Sequence, residues 1–529
     1  MAEILSESSI ESIPHTIKTI TFNGENWNVE DPRQFLPGGF YPAYPGQTLS
    51  DHFVIRHKLG FGATAATWLC RDTVREEWVA VKVLKSKDSS ENSPEFRALV
   101  LLQQDKERDA ELLDLLGLAR EHFWIQGAHG SHLCLVLPLL GPNLTHAFRL
   151  FGKSPLALIA MCHDMTKAMR FMHRKGVCHG DFTPMNVLLR FADEIHQLDE
   201  EALFELLRIP LDKDGKPWMI PKSHVLRFYT GLKVFKDLNT SCPEYFVAGL
   251  ENLDTLSNKP LRQYLLPKIK VIDFGCSYNP ADLSSLRGDL DKIRKTSKAL
   301  SLTGCPPPWR PPEMYYRRRA PCYFRGSAGD IWALGITIFR TFCGLGPFCF
   351  PAEPYGTHMG YGKQMLSELH EYWGPQNWQM VTREDAPRSP KEFRDLAERC
   401  ESIEAKRLER RDRNRKLWLG KFGTSDRFEA LLLWGLRYDE KPPAKYDESW
   451  YGLPQLQRLG IVRPLYATQV QMDLLCDLMR KMFRRLPANR LPLKEVEEHP
   501  WFLLGSQPDG TIASMPGSVY VPTEADYYK

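Results

Sequence analysis

The sequence predicts an α+β fold, strand-rich ahead of about residue 140 and largely helical behind it. Three observations lead there. Apolar strand patterns flank the turn Gly60-Phe61-Gly62, the second of them being Trp78-Val79-Ala80-Val81-Lys82-Val83-Leu84. The segment 155–174 repeats apolar residues at Leu158, Cys162, Met165, Met169 and Met172, in steps of 4, 3, 4 and 3, which makes one buried helix face. A third strand pattern, Lys268-Ile269-Lys270-Val271-Ile272, runs into Asp273-Phe274-Gly275.

Bulk composition bounds the rest. The 529 residues are 43% hydrophobic and 25% charged, which supplies enough apolar surface to offset the cost of ordering the chain. Lys plus Arg is 69 against 65 Asp plus Glu, a formal charge of +4, and so near a balance argues against a dedicated nucleic-acid binder. The twelve cysteines are scattered with no Cys-x-x-Cys, so a reduced intracellular chain is expected rather than a zinc ribbon or disulfide scaffold. Residues 1–18 carry Glu3, Glu7 and Glu11 and no basic, apolar leader, unlike a signal peptide. The apolar run 331–350 holds Arg340 at its middle, at a cost of about 2.5–3.5 kcal/mol in a bilayer. It is read as a buried helix, with no membrane span expected.

Taken in order, the front of the chain looks built to approach phosphate. Glycines at 60 and 62 let a backbone come close to anionic oxygens and offer N–H groups to them. Strand rather than helix follows them, which disfavours a dinucleotide turn. Lys82, inside a buried strand, needs a partner, because an unpaired buried charge is expensive. Ser93 and Pro94 read as the cap and first residue of a helix, and Glu95 in its first turn is the candidate partner, with Glu91 the alternative. Behind the amphipathic helix comes Val177-Cys178-His179-Gly180-Asp181-Phe182-Thr183-Pro184-Met185-Asn186. Asp181 and Asn186 stand five apart, a spacing that suits one group meeting a hydroxyl and another reaching a metal. Asp273, at a strand end, offers the hard oxygen that Mg²⁺ prefers.

In this order, G-x-G, V-A-V-K, H-x-D-x4-N and D-F-G resemble the signature of the eukaryotic protein kinases, over roughly residues 51–502. Within them the chain is most similar to the serine/arginine-rich protein-specific (SR protein) kinases. Gly38-Gly39-Phe40-Tyr41-Pro42, Trp68-Leu69-Cys70 and the stretch Leu133 to Leu144 carry that likeness, as does a spacer between the Asp181 and Asp273 motifs. The resemblance implies a bilobal protein-kinase fold, with a small antiparallel β-sheet N-lobe plus one helix and a larger helical C-lobe. The expected boundaries are a leader (1–45), the N-lobe (46–140), the C-lobe (141–505, with inserts at about 191–267 and 351–464) and a tail (506–529). Pro311-Pro312-Glu313 and Ser327 to Gly335 resemble the close of an activation segment and the start of the central C-lobe helix. A Glu313–Arg490 ion pair is implied with them.

The same resemblance implies ATP-dependent transfer of the γ-phosphoryl group to Ser/Thr hydroxyls of a protein. Gly60, Phe61, Gly62, Ala63, Thr64, Ala65, Ala66 and Thr67 would cover the phosphates, with Lys82 holding them and Glu95 fixing Lys82. Leu59 and Ala80 would sandwich adenine, Leu137 would take the gatekeeper place, and backbone groups of Pro138 and Leu140 would meet the adenine edge. Asn186 and Asp273 would ligate Mg²⁺, and Asp181 would accept the hydroxyl proton.

Four positions depart from the pattern. Ala65 replaces the third glycine, Thr67 a Val, Gly180 the Arg of His-Arg-Asp, and Thr183 the Lys two residues after the base. They keep two alternatives open, a pseudokinase scaffold and a small-molecule phosphotransferase of kinase-like fold. The 41-residue segment from Asp273 to Glu313 offers Ser284, Ser285, Thr296, Ser297, Ser301 and Thr303 as hydroxyls. The helix-like stretch 391–419 changes from acidic to basic, and its run 406–416 is a candidate surface for an acidic partner. No acidic groove for an arginine–serine substrate is evident. A cytoplasmic or nuclear location, or both, is expected.

Overall fold

Runs of β-branched and aromatic residues broken by turn residues build the front of the molecule. The computed structural model describes residues 19–22, 25–151, 154–209, 211–212, 215–229, 235–250, 259–281, 305–311, 327–344, 346–347, 469–484 and 487–504. Strands β1 (Thr19–Phe22) and β2 (Glu25–Asn28) pair antiparallel. Strands β3 (Thr48–Leu49), β4 (Phe53–Phe61), β5 (Ala65–Asp72), β6 (Glu77–Leu84), β7 (Glu121–Gly127) and β8 (Gly130–Pro138) form an antiparallel sheet, in the order β3-β4-β5-β6-β8-β7. Helix α1 (Pro94–Leu102) begins as its sequence demands, with the Ser93 hydroxyl accepting from the Phe96 amide at 3.3 Å.

The chain divides into two units. Unit 1 comprises residues up to 99, 117–141 and 191–266; unit 2 comprises 100–116, 142–190 and 267 onward. By chain position the first insert belongs to the C-lobe. In the structure it groups instead with the strand-rich unit. The reason is hydrophobic: Ile220, Val225, Leu226, Phe246 and Val247 from the insert share one buried cluster with Phe35 and Phe40 from the leader and with Phe53, Ile55, Trp68 and Val81 from the sheet. A strand surface this apolar must be covered, and leader and insert together cover it. A second cluster joins Leu84, Leu133 and Leu135 of the sheet to Leu99 of α1, with Phe96 packed against it.

In unit 2, helix α2 (Pro155–Arg174) buries Leu158, Cys162, Met165, Met169 and Met172 completely, so the methionine stripe is core, as its spacing predicts. Strand β9 (Val187–Phe191) pairs with β10 (Leu265–Val271). Helix α3 (Ala328–Cys343) is almost wholly buried and stops at Gly344, whose φ of 75° is left-handed. Helices α4 (Gln469–Met482) and α5 (Leu493–Glu497) follow, and Arg170 of α2 pairs with Glu497 at 2.9 Å. No helix among the described residues is long and apolar enough to cross a membrane, and nine described cysteines, all unbridged, include eight that are buried.

Arg490 is buried and donates to the Ala328 carbonyl at 2.7 Å, with its guanidinium 5.2 Å from the Trp332 ring. Its expected partner Glu313 lies outside the described residues, as do residues 1–18, the hydroxyls from 284 to 303 and the second insert with its basic run 406–416.

Candidate active site

Unit 1 holds a turn and an ion pair. The turn between β4 and β5 closes through the Gly62 amide, which donates to the Ala65 carbonyl at 2.8 Å. Gly62, Ala63 and Thr64 are exposed, Leu59, Gly60, Phe61 and Thr67 half-buried, and Ala65 and Ala66 buried. A Cβ placed on Gly60 or Gly62 would meet nothing within 4 Å, so packing among the described residues does not account for either glycine. Lys85 holds the turn from below: its amide donates to the Thr64 carbonyl at 2.8 Å, and its ammonium to the Ala63 carbonyl and to Gln34.

On β6, Ala80 is buried and pairs across the sheet with Leu69 and Leu137, while Val79 pairs with Pro138. Leu140 opens the next strand, Leu140–Asn143. Lys82 is buried, and its ammonium donates to both carboxylate oxygens of Glu95, at 2.8 and 2.7 Å. Glu91 is exposed, so of the two candidate acids it is Glu95 that meets Lys82. The pairing follows from the capped start of α1, which sets Glu95 in the first helical turn, where a carboxylate is also favoured by the helix dipole.

Unit 2 holds the acids. Cys178 exchanges two backbone hydrogen bonds with Tyr278, at 2.9 and 3.0 Å. Asp330 then organises the loop. Its carboxylate accepts from the amides of His179 (2.7 Å) and Gly180 (3.0 Å) and meets His173 Nε2 at 2.9 Å. Burial alone would push that carboxyl up; the His173 ring, the charges of His173 and His179 and the Gly180 amide outweigh it and hold Asp330 below the usual carboxylate range. The His179 ring meets the Ile272 carbonyl at 3.0 Å.

Gly180 explains its own departure from the kinase pattern. Its φ is 77°, and a Cβ there would lie 2.4 Å from the Cys276 carbonyl oxygen. No side chain fits without moving the backbone that follows Asp273.

Asp181 and Asn186 meet directly: the Asn186 amide donates to the Asp181 carbonyl at 2.8 Å and to its Oδ2 at 3.2 Å. The Ile272 amide donates to the Asn186 carbonyl at 2.9 Å, which ties Asn186 to the strand leading into Asp273. Asp273 has a left-handed φ of 64°, a conformation found in strained functional loops and one that Asp tolerates better than most residues. Asp181 Oδ1 is buried and has no hydrogen-bond partner among the described residues. Burial, then the nearby charge of Asp273, pushes the Asp181 carboxyl up to about 7. The buried Thr183 hydroxyl likewise has no partner among the described residues.

Two neighbouring acids, one of them raised by the other's charge, beside an amide oxygen form a hard-oxygen set of the kind a divalent cation neutralises. The expected residues thus come together in two groups, Lys82 with Glu95 and Asp181 with Asn186 and Asp273. Asp330 is not among the site residues the sequence predicts, although it lies in the predicted helix start Ser327 to Gly335.

Comparison with known proteins bears on the fold. A family model described as Protein kinase domain matches residues 53–199. The chain carries a protein kinase domain. It is similar to serine/threonine-protein kinase SKY1 of Saccharomyces cerevisiae, 28% identical over 176 residues, which are 31% of this chain and 24% of that protein. SRSF protein kinase 3 of Mus musculus is 29% identical over 180 residues, 33% of this chain and 32% of that one. Serine/threonine-protein kinase SRPK of Physarum polycephalum is 31% identical over 175 residues, 32% of this chain and 40% of that one. The chain therefore aligns with 24–40% of the length of these relatives. The matched region is similar to these serine/threonine and SRSF protein kinases at 28–31% identity, a divergent likeness.

Proposed function

We propose that this chain is an ATP- and Mg²⁺-dependent kinase that phosphorylates Ser or Thr of protein substrates, arginine–serine-rich sequences among them. The observation that carries the reading is the Asp181 carboxylate: one oxygen tied to Asn186, the other buried and unpartnered among the described residues, and a carboxyl poised at about 7. A base poised near working pH with one carboxylate oxygen unpartnered is what hydroxyl activation needs. In this reading Lys82, fixed by Glu95, holds the α- and β-phosphates, and the amides of the Gly60–Ala65 turn cover them. Asn186 and Asp273 hold Mg²⁺, which supplies charge neutralisation for the transferred phosphoryl group. Asp181 orients the substrate hydroxyl and takes its proton. Most of the acceleration comes from positioning and electrostatics. Thr183 contributes no positive charge where the kinase pattern has Lys.

The test offers labelled ATP and Mg²⁺ with an arginine–serine peptide, a basic generic protein and a panel of small alcohols. Label on protein Ser or Thr is the expected result. Nucleotide binding without transfer supports a pseudokinase scaffold instead, and label on an alcohol alone supports a small-molecule kinase.

A further inference from the structure

We propose that Gly249 and Leu250 of the first insert are positioning residues that latch the phosphate-covering turn and thereby set nucleotide affinity. The proposal rests on the reading of Gly60-Phe61-Gly62 as that turn. Strand β3 pairs with β4 at Phe53 and Val54, and Gly46 and Gln47 continue the pairing to Ile55; past Ile55 no strand of the sheet pairs with that side of β4 among the described residues. The β4–β5 register slips between Lys58 and Gly60, which leaves Leu59 without a partner across the ladder immediately before the glycine turn. The Leu250 amide fills that gap, donating to the Leu59 carbonyl at 3.1 Å.

Gly249 makes the approach feasible. A Cβ on it would lie 3.2 Å from Gly60 Cα and 3.6 Å from the Leu59 oxygen, so backbone here packs on backbone. The latch has a firm base, because Phe246, Val247 and Ala248 just before it are buried in the unit 1 core. With Lys85 holding Ala63 and Thr64, the turn is gripped at both ends. A turn fixed in this way starts ordered, so closing over a nucleotide costs less conformational freedom.

The experiment uses the full chain with three variants. Leu250→Pro removes the donor. Gly249→Ala retains every donor but crowds Gly60, and it keeps the test decisive should the proline variant not fold. Tyr245→Ala, exposed on the same segment, is the control. Hydrogen exchange of residues 59–62 without nucleotide, melting temperature, fluorescent ADP affinity and the split of KM for ATP against kcat are read together. The expected result is faster exchange at 59–62 and a KM and ADP Kd raised roughly two- to tenfold, the effect of one backbone hydrogen bond, with kcat and the control unchanged. Exchange and affinity equal to wild type in both latch variants would overturn the proposal. A wild-type chain that transfers no phosphate defeats the kinase reading separately, since the exchange measurement does not depend on turnover.

Discussion

The two groups of candidate catalytic residues are opposite in their electrostatics. In unit 1, Lys82 and Glu95 are both buried, and each is the other's counter-charge. In unit 2, Asp181 and Asp273 carry like charges, and the Asp181 carboxyl rises to about 7 because burial and its neighbour both oppose ionisation. One group is complete as folded, whereas the other is held in a state that a cation and a hydroxyl would relieve. A self-satisfied pair positions, and a frustrated pair reacts.

The largest expected effect tests the reactive group. Asp181→Asn keeps the Asn186 contact and removes the base, so kcat should fall about 10²- to 10⁴-fold while nucleotide affinity stays near wild type. A variant with wild-type kcat in a single-turnover assay would remove Asp181 from the mechanism.

The self-satisfied group is tested next. Glu95→Gln leaves the Lys82 ammonium buried with a weaker acceptor and should cost about 1–3 kcal/mol by denaturant unfolding, with KM for ATP raised. The double variant Lys82→Met with Glu95→Leu should recover most of that stability and none of the activity, because apolar residues replace a buried pair with little loss. If the double variant is as unstable as the single, the pair does more than position.

The smallest effect sharpens the contrast by pH. A carboxyl near 4 in the unfolded chain and about 7 in the folded one favours the folded state most at low pH. That contribution is present below pH 4 and is lost as pH rises through 7. The melting temperature without metal should therefore carry a downward component between about pH 4 and 7. Mg²⁺ should shrink it by neutralising the ionised pair, and Asp181→Asn should abolish it. A pH profile identical in Asp181→Asn and wild type would mean that this carboxyl is not the one titrating.

Much of the site was legible in the chain. Lys82 stood out as a charge inside a strand, Asp181, Asn186 and Asp273 by spacing, and Glu95 by its place after a capped helix start, because each of those signals is local. The methionine stripe of α2 was read as core for the same reason, since helical periodicity is a property of a few consecutive turns. Gly180 was visible as a departure, but its cause was not: the atom it must avoid is the carbonyl of Cys276, 96 positions later. Asp330 was likewise legible as part of a helix start, while its grip on His179 and Gly180, some 150 residues earlier, was not.

The sequence by itself determined which groups are candidates for chemistry and in what order they occur, because nucleophile activation, metal ligation and phosphate approach each demand particular residue types at short spacing. Only the tertiary structure decided that the first insert joins the strand-rich unit and that its Leu250 amide completes the edge of β4. Hydrophobic burial has no memory of chain order, and a backbone hydrogen bond carries no side-chain signature, so neither could be read until the chain was folded.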